Sequence, residues 1–388
     1  MKNIKLTTLL SAMALGLAAC GGGSDSSSNS GTLNVLLTDN PACGFDHVYV
    51  TINKVRVHRS DSAKDTDAGW TSIKLATPKK VDLLELTNGV LTTLGQTPLA
   101  VGKYTQIRLV LDQNKGPNLA NAIVPTGGTL QALTTPSASQ SGYKVKGSFD
   151  VQADTLVDLV LDFDACHSIV KRGNGSYSLK PVVTATPQIV SGSIQGFVST
   201  DLAQAGATVY AQQNGKIIKG TPVLATGGFN LSPLLQSAST GNYDIVVATP
   251  GHATAVIKSV PVLAKQDTKV STTTLPIHTV VATDYSVSGT ALPAADLIRV
   301  NATQTSGGVS YAVNTMNANL DTGAYSLKLN TAAPYIGLYT GTLPVTFTPD
   351  STVNGQYKIN ATNSTSGAMQ NAPVTVTTAD ISNINFNF

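Results

Sequence analysis

Charged and aromatic residues are scarce in this chain of 388 residues. Asp, Glu, Lys and Arg together make up 12% of it, aromatic residues make up 5%, and there is one tryptophan. The formal net charge of +3 comes without a basic cluster, which excludes the electrostatic surface that nucleic-acid binding requires. Hydrophobic residues still make up 41% of the chain, which is enough material for buried cores and excludes a body that is disordered as a whole.

Catalytic motifs are absent as well. The sequence contains no Gly-x-Ser-x-Gly, no His-Glu-x-x-His and no phosphate-binding loop. Its five histidines are scattered without the spacing of metal ligands. A Ser-x-x-Lys spacing at residues 141–144 lies in a Ser/Gly-rich loop instead of at the start of a helix. These absences favour a protein that is not an enzyme.

The first residues have the pattern of an export signal. Lys2 and Lys5 precede an apolar stretch at residues 6–19 that is too short to span a bilayer as a permanent helix. Two small residues then stand directly before Cys20, which resembles the lipobox of bacterial lipoproteins. The resemblance implies a signal peptide at residues 1–19, removed by cleavage, and acylation of Cys20, for example with palmitate, which anchors the chain. The alternative is ordinary signal cleavage beside an incidental cysteine.

Residues 20–31 follow as a lipidated cysteine and a Gly/Ser-rich flexible tether. Gly21 stands where an aspartate would favour retention in the inner membrane. By resemblance to the sorting rule of Gram-negative lipoproteins, this favours the outer membrane. The body of the protein could then face the periplasm or the cell surface, and its first partner is the membrane itself.

The two remaining cysteines, Cys43 and Cys166, are an even number in an oxidising compartment, so one disulfide is expected. Each follows shortly after an apolar strand, so both strands run toward the same end of a sandwich. The bond would draw four polar residues toward one rim: Asp39, Asp46, Asp164 and His167. This rim is a candidate ligand or calcium site, and no other cofactor is expected. The alternative is a structural disulfide among solvated acids.

Nearly every segment after the tether reads as strand and turn. Residues 156–163 alternate between apolar and polar positions, so Asp158, Asp162 and Asp164 share the outer face of one strand. That face is expected to be polar and solvated, with Arg108 of a neighbouring strand as a candidate partner. The pattern predicts an all-β protein made of tandem β-sandwich domains behind the signal peptide and tether.

Residues 32–187 form the first expected domain. In order, it contains Leu36-Leu37-Thr38-Asp39-Asn40-Pro41, Gly69-Trp70, Val81-Asp82-Leu83-Leu84, Gly102-Lys103-Tyr104-Thr105 and Leu161-Asp162-Phe163-Asp164. These pieces resemble a family of bacterial surface lipoproteins known as domain of unknown function 4382. The resemblance implies a β-sandwich-like surface module and brings no activity with it. Asn40 stands where that family typically has alanine.

Residues 188–277 and 278–388 form the second and third expected domains. The second contains Ile194-Gln195-Gly196-Phe197-Val198, Gly227-Gly228-Phe229-Asn230-Leu231 and Gly241-Asn242-Tyr243-Asp244. This order resembles the carboxypeptidase regulatory-like domain, a transthyretin-type β-sandwich that is also grouped with starch-binding-like folds. The third domain repeats the pattern loosely and carries extra residues around 338–354. The resemblance implies either carbohydrate binding or tandem sandwiches that act as a spacer.

Three classes of function remain. The sequence favours a non-catalytic envelope lipoprotein that binds or displays, with a glycan or another envelope protein as partner. The second class is a purely structural spacer, and the third is an enzyme with an unrecognised site. Exposed aromatic residues clustered on one sandwich edge would favour the first class over the second. A pocket with convergent polar groups and a shifted pKa would favour the third.

Overall fold

The computed structural model describes residues 29–40 and 44–388 of the chain. Strands dominate these residues and their helices are single turns, so the expected all-β class is confirmed. Several separate sheets are present, as tandem sandwiches require. Within the described part of the chain, no helix is long and apolar enough to cross a membrane. The expected signal peptide at residues 1–19, Cys20 and Cys43 lie outside the described residues.

The first unit is built around two sheets. Its strands are β1 (Ser30–Asn40), β2 (Phe45–His58), β3 (Thr71–Asp82), β4 (Thr92–Ala100), β5 (Gly102–Tyr104), β6 (Gln106–Leu111), β7 (Ala122–Pro125), β8 (Gln131–Thr134), β9 (Tyr143–Val145), β10 (Phe149–Val151), β11 (Leu156–Asp164), β12 (Ile169–Lys171), β13 (Tyr177–Leu179) and β14 (Val183–Pro187). A 3₁₀ helix lies at Leu83–Leu86 and helix α1 at Ala165–Ser168.

Strand β1 is central to the first unit. It lies in a four-stranded sheet of order β14-β11-β1-β4, parallel to β11 and antiparallel to β4. Its alternate residues Leu33, Val35 and Leu37 join the core between this sheet and the eight-stranded sheet that contains β2 and β6. Because side chains alternate along a strand, Asn34 and Thr38 point to the other face, where they meet the polar residues of β11.

The second and third units follow with shorter sheets. Their strands are β15 (Ser191–Phe197), β16 (Thr208–Gln213), β17 (Lys216–Pro222), β18 (Gly228–Leu235), β19 (Tyr243–Ala248), β20 (Ala255–Val260), β21 (Asp267–Lys269), β22 (Asp284–Leu292), β23 (Ile298–Ser306), β24 (Val309–Asn317), β25 (Ala324–Asn330), β26 (Tyr335–Leu338), β27 (Phe347–Pro349), β28 (Gln356–Asn363), β29 (Met369–Thr375) and β30 (Phe386–Asn387). Helices α2 (Thr200–Gln204) and α3 (Ser237–Thr240) and 3₁₀ helices at Gln188–Val190 and Ser351–Val353 connect them.

The hairpin between β16 and β17 shows how local sequence sets one of these connections. Asn214 and Gly215 both have positive φ, 52° and 74°, as a tight two-residue turn between antiparallel strands requires. The turn places Lys219 on the returning strand, at the position that pairs with Ala211.

The third unit supplies two strands to the second. Strands β26 and β27 extend the second unit's sheet, whose order is β17-β16-β19-β20-β26-β27, and β26 runs parallel to β20. Val345, between these two strands, is 9% exposed and packs into the second unit's core. The extra residues noted around 338–354 in the third unit therefore help to complete the second sandwich, so residues 188–388 form two interlocked sandwiches.

Removing the Val345 side chain should weaken the second unit even though the residue belongs to the third. We expect Val345→Ala to lower the free energy of unfolding by about 1–3 kcal/mol, because buried apolar surface is lost and a cavity remains. Urea denaturation measures the change. Met369→Ala is the control, since Met369 is 71% exposed. Equal effects of the two substitutions would contradict the conclusion that Val345 packs into the second unit's core.

Candidate functional site

Three of the four residues predicted to share a rim lie together at the carboxyl ends of β1 and β11. Asp39 Oδ1 accepts a hydrogen bond from the Ala165 N–H at 3.1 Å. Asp164 caps α1 by accepting from the His167 N–H at 3.0 Å, and its other oxygen lies 2.6 Å from His167 Nδ1. Asp46 is separate from this group: it is exposed and accepts from the Gly127 N–H at 3.2 Å. The two strands do end together, as the sequence predicts.

This group is buried, whereas an open rim was expected. Asp39 and His167 are both buried, and the second and third units cover them. His167 Nε2 lies 3.1 Å from Thr315 Oγ1 of the third unit. From the second unit, the Gly220 N–H donates to Asn40 Oδ1 at 3.1 Å. We call this region the junction, defined by Asn40, Asp39, Asp162, Asp164, His167, Lys219 and Thr315.

A buried ion pair of the junction joins the first unit to the second. Lys219 Nζ lies 2.6 Å from Asp162 Oδ1, and the two side chains are 2% and 7% exposed. Lys219 Nζ also lies 3.5 Å from the main-chain oxygen of Asp39. A buried ion pair of this kind holds only while both partners are in place, because either charge alone would be buried without compensation. No motif in the sequence distinguishes Lys219 from the other lysines.

Burial and neighbouring charges shift the acidic groups of the junction in different directions. Burial, followed by the charges of Asp162 and Asp164, raises the pKa of Asp39 well above its usual value. Burial also raises the pKa of Asp162, outweighing the opposing charge and hydrogen bond of Lys219. Burial alone would raise the pKa of Asp164, but the charge and hydrogen bonds of His167 outweigh it and hold that pKa below its usual value.

The acidic face of β11 was correctly placed on the outer side of its strand, but its expected surroundings were wrong. Asp162 and Asp164 are covered by the other units instead of facing solvent. Arg108 is not their partner. Its guanidinium donates to the main-chain oxygens of Ser141 and Ala63 and lies 5.0 Å from the centre of the Trp70 ring. A polar strand face that meets another unit has the same sequence pattern as one that meets water.

The disulfide prediction concerns the same region. Cys166 lies in α1, next to the Asp164–His167 pair, and it is not a free thiol. Its expected partner, Cys43, lies outside the described residues, so the Cys43–Cys166 bond stays a prediction. Within residues 29–40 and 44–388, no group of three or more His, Cys, Asp or Glu side chains is placed to hold a metal ion. The described residues therefore give the expected calcium site no support.

Further contacts hold the three units against each other. Gln212 of the second unit donates to the Ala312 carbonyl at 2.6 Å and accepts from the Ala312 N–H at 2.9 Å. Between the first and second units, Asn88 Nδ2 donates to the Pro222 carbonyl at 3.1 Å. Between the first and third, Asn317 Nδ2 donates to the His167 carbonyl at 2.9 Å. Every pair of units is therefore joined by side-chain to main-chain hydrogen bonds.

A large cleft opens between the first and second units, away from the junction residues. Its volume is about 850 Å³, within the range of ligand pockets. The polar side chains of its lining include Asp158, Gln188, Lys265 and Asp267. Asp158 accepts a hydrogen bond from Asn34 at 2.7 Å, and Asp267 accepts one from Ser193. Leu156 and Ile189, 56% and 65% exposed, add apolar surface to the same lining.

Local sequence does not predict this cleft, because its walls come from segments that are distant in the chain. Asp158 belongs to β11 and Asp267 to β21, and only the packing of the two units brings them to one space. The sequence signal for the cleft is the position of Asp158 on a polar strand face. The single tryptophan does not contribute: Trp70 has Arg56 at 4.4 Å and Arg108 at 5.0 Å from its ring centre.

Comparison with known proteins supports the family expected for the first unit. Residues 30–181 match the family model "Domain of unknown function (DUF4382)". No match was found among curated proteins. The resemblance of residues 188–388 to carboxypeptidase regulatory-like domains stays a prediction.

Two solved structures show weak similarity. One is a type II cohesin–X-dockerin complex from Acetivibrio cellulolyticus, at 20% identity over 23% of this chain and 58% of that chain, with a TM-score of 0.19. The other is the TIE protein of Bacillus anthracis, at 11% identity over 93% of this chain and 50% of that chain, with a TM-score of 0.17. This chain thus spans between half and three fifths of the chains it matches, and neither similarity carries an argument about function.

The raised pKa of Asp39 predicts a pH dependence of stability. The native state holds this proton to a higher pH than the unfolded chain does, so this carboxyl's contribution is fully present below its unfolded pKa and is lost as the pH rises through the native pKa. Asp39→Asn keeps the shape and the acceptor for the Ala165 N–H but has no proton to lose. We expect the stability of Asp39→Asn relative to wild type to increase with pH, by at most about 1.4 kcal/mol per pH unit.

Chemical denaturation between about pH 4 and about pH 8 measures this difference. Asp46→Asn, at an exposed position, controls for the loss of one carboxyl group. If the stability of Asp39→Asn relative to wild type is constant with pH, or falls as the pH rises, then the pKa of the Asp39 carboxyl is not raised in the native state.

Proposed function

We propose that this protein is a non-catalytic lipoprotein of the cell envelope whose cleft between the first and second units binds a glycan. The single observation that carries the proposal is the cleft itself, with a volume of about 850 Å³ and a lining of carboxylate, amide, ammonium and hydroxyl groups. A protein that only sets distance needs no such space. The function is argued from this site, because the family of the first unit has no known activity.

The chemistry of the lining suits a sugar. The lining presents hydrogen-bond acceptors or donors in pairs, on the side chains of Asp158, Asp267 and Gln188. Such pairs match the neighbouring hydroxyl groups of a carbohydrate. Lys265 adds a further donor. The exposed alkyl side chains of Leu156 and Ile189 offer flat C–H surface against which a sugar ring can rest. Since aromatic residues are rare in the chain, these alkyl groups would take the part that aromatic rings usually have.

The position of the cleft favours a ligand close to the membrane. The described body begins with β1, and its first residues bond to the loop before β11: the Thr32 N–H donates to the Thr155 carbonyl, and the Asp154 N–H to the Ser30 carbonyl. Thr155 also lines the cleft. A chain anchored at Cys20 would enter the body here, and residues 21–29 can reach at most about 30 Å. We therefore infer that the ligand is a glycan of the envelope itself.

The arrangement of the acids supports a non-catalytic role. Asp39, Asp162 and Asp164, whose pKa values are shifted, lie in the junction and do not line the cleft. Their shifts arise with burial among structural partners, where a substrate would have to separate two units to reach them. The second candidate function, a spacer, is favoured by the contacts that join every pair of units, and it becomes the conclusion if the cleft binds nothing.

Binding in the cleft can be tested by calorimetry with fragments of envelope glycans. We expect a wild-type affinity that Lys265→Ala/Asp267→Ala lowers at least about tenfold, because each lost hydrogen bond contributes roughly 1 kcal/mol. The control Asp61→Ala/Lys64→Ala removes one acid and one base from an exposed loop outside the cleft lining. The cleft is not the binding site if the two double variants bind equally, and the spacer function is favoured if no glycan binds to wild type.

Attachment to the envelope is a separate proposal with its own test. Cys20→Ser should abolish incorporation of a labelled fatty acid and leave the protein uncleaved or released from the membrane fraction, because the thiol is the acyl acceptor in lipoproteins. Metabolic labelling and fractionation measure both effects. Cys43→Ser is the matched control and should retain the label. Persistence of label in Cys20→Ser would contradict lipidation at this residue.

A further inference from the structure

The cleft between the first and second units has an uneven distribution of charge. Its lining contains the carboxylate groups of Asp150, Asp158 and Asp267 and a single ammonium group, that of Lys265. Among residues 29–40 and 44–388, none of these four side chains forms an ion pair. A wall with an excess of one charge attracts ligands of the opposite charge and repels those of the same charge.

Two of the three carboxylates have a lysine close to them in the chain or in the sheet. Asp267 lies two residues after Lys265, and both are exposed on the second unit's wall. Asp150 pairs in register with Lys103 of β5, and both are exposed. The excess negative charge therefore lies with Asp158, on the first unit's wall.

Asp158 has a second acceptor beside it instead of a cation. Its partner in register on β1 is Asn34, whose Nδ2 donates to Asp158 Oδ1 at 2.7 Å. Since a carboxylate can only accept, the amide presents its nitrogen to Asp158 and turns its oxygen away. Asn34 is 9% exposed, and its Oδ1 has no hydrogen-bond partner in the described part of the chain. This part of the wall is therefore rich in acceptors and poor in donors.

An apolar side chain stands next to these acceptors. Leu156 precedes Asp158 by two residues, so both point to the same side of β11, about 7 Å apart. Leu156 is 56% exposed and lines the cleft. A sugar ring that rests on Leu156 would hold a ring substituent near Asp158. The substituent that a carboxylate binds most strongly is a donor with a positive charge.

We propose that the glycan bound in this cleft carries free amino groups, and that Asp158 is the residue that selects them. This inference rests on the proposed function. A protonated amino group brings a positive charge and three donors, whereas an N-acetylated nitrogen has one donor and no charge. A carboxylate or phosphate substituent would be repelled by the same wall. The substrate class is therefore a glycan that contains amino sugars whose nitrogen is not acetylated.

Calorimetry of the full chain with two oligosaccharides tests this selection. The probes are a glucosamine oligomer from chitosan and the fully N-acetylated oligomer of the same length from chitin, at about pH 6, where an ordinary carboxyl group is ionised. We expect wild type to bind the glucosamine oligomer at least about tenfold more tightly, because hydrogen bonds between charged groups are stronger than neutral ones.

The possible failures of the inference and of the proposed function can be told apart. Equal binding of the two oligomers, or tighter binding of the N-acetylated one, would overturn the inference and leave the proposed function standing. If neither oligomer binds, the inference fails, and the proposed function fails with it only if no other envelope glycan binds.

A variant assigns the selection to one residue. Asp158→Asn removes the charge and keeps an oxygen that can accept from Asn34. We expect this variant to bind both oligomers about as tightly as wild type binds the N-acetylated one, because only the charged hydrogen bond is lost. Asp46→Asn, at an exposed position outside the cleft lining, is the control and should keep the wild-type preference. A preference for the glucosamine oligomer that survives in Asp158→Asn would exclude Asp158 as the selecting residue.

Discussion

The contact between Lys219 and Asp162 is the constraint on which the arrangement of the molecule depends. Removing two charged groups from water costs several kcal/mol for each, and only close approach and added hydrogen bonds offset it. Here the second partner comes from another unit, so the first unit alone leaves Asp162 without Lys219. The neighbouring contact of His167 with Thr315 adds the same condition for the third unit. Asp162 and His167 therefore have these partners only when the second and third units are in place.

Much of the fold follows from local sequence. Alternation along residues 156–163 indicates a strand with one apolar and one acidic face, and the structure has both. Tracing β1 and β11 to their ends also predicts that Asp39, Asp164 and His167 approach each other, and they do, because the two strands are parallel neighbours. These inferences succeed because strand period and strand direction are properties of the chain itself.

The remaining features depend on partners that local sequence does not name. An acidic strand face has the same pattern whether water or another unit covers it, so the junction was expected as an open rim. The pairing of β26 with β20 joins residues of two sandwiches, and neither segment's periodicity specifies its neighbour. Strand β17 carries both Lys216 and Lys219. Only the register of that strand makes Lys219 buried and Lys216 exposed.

The acidic face of β11 connects the cleft with the junction. Asp158, Asp162 and Asp164 point to one side of the strand, and Asp158 and Asp162 lie about 13 Å apart at roughly 3.3 Å per residue. Asp158 lines the cleft, Asp162 meets Lys219, and Asp164 caps α1. The strand pairs with β1 over residues 156–164 and with β14 over residues 159–163, which fixes the spacing of these residues. The cleft wall at Asp158 and the junction at Asp162 therefore belong to one hydrogen-bonded strand, so the packing that buries Asp162 also positions Asp158.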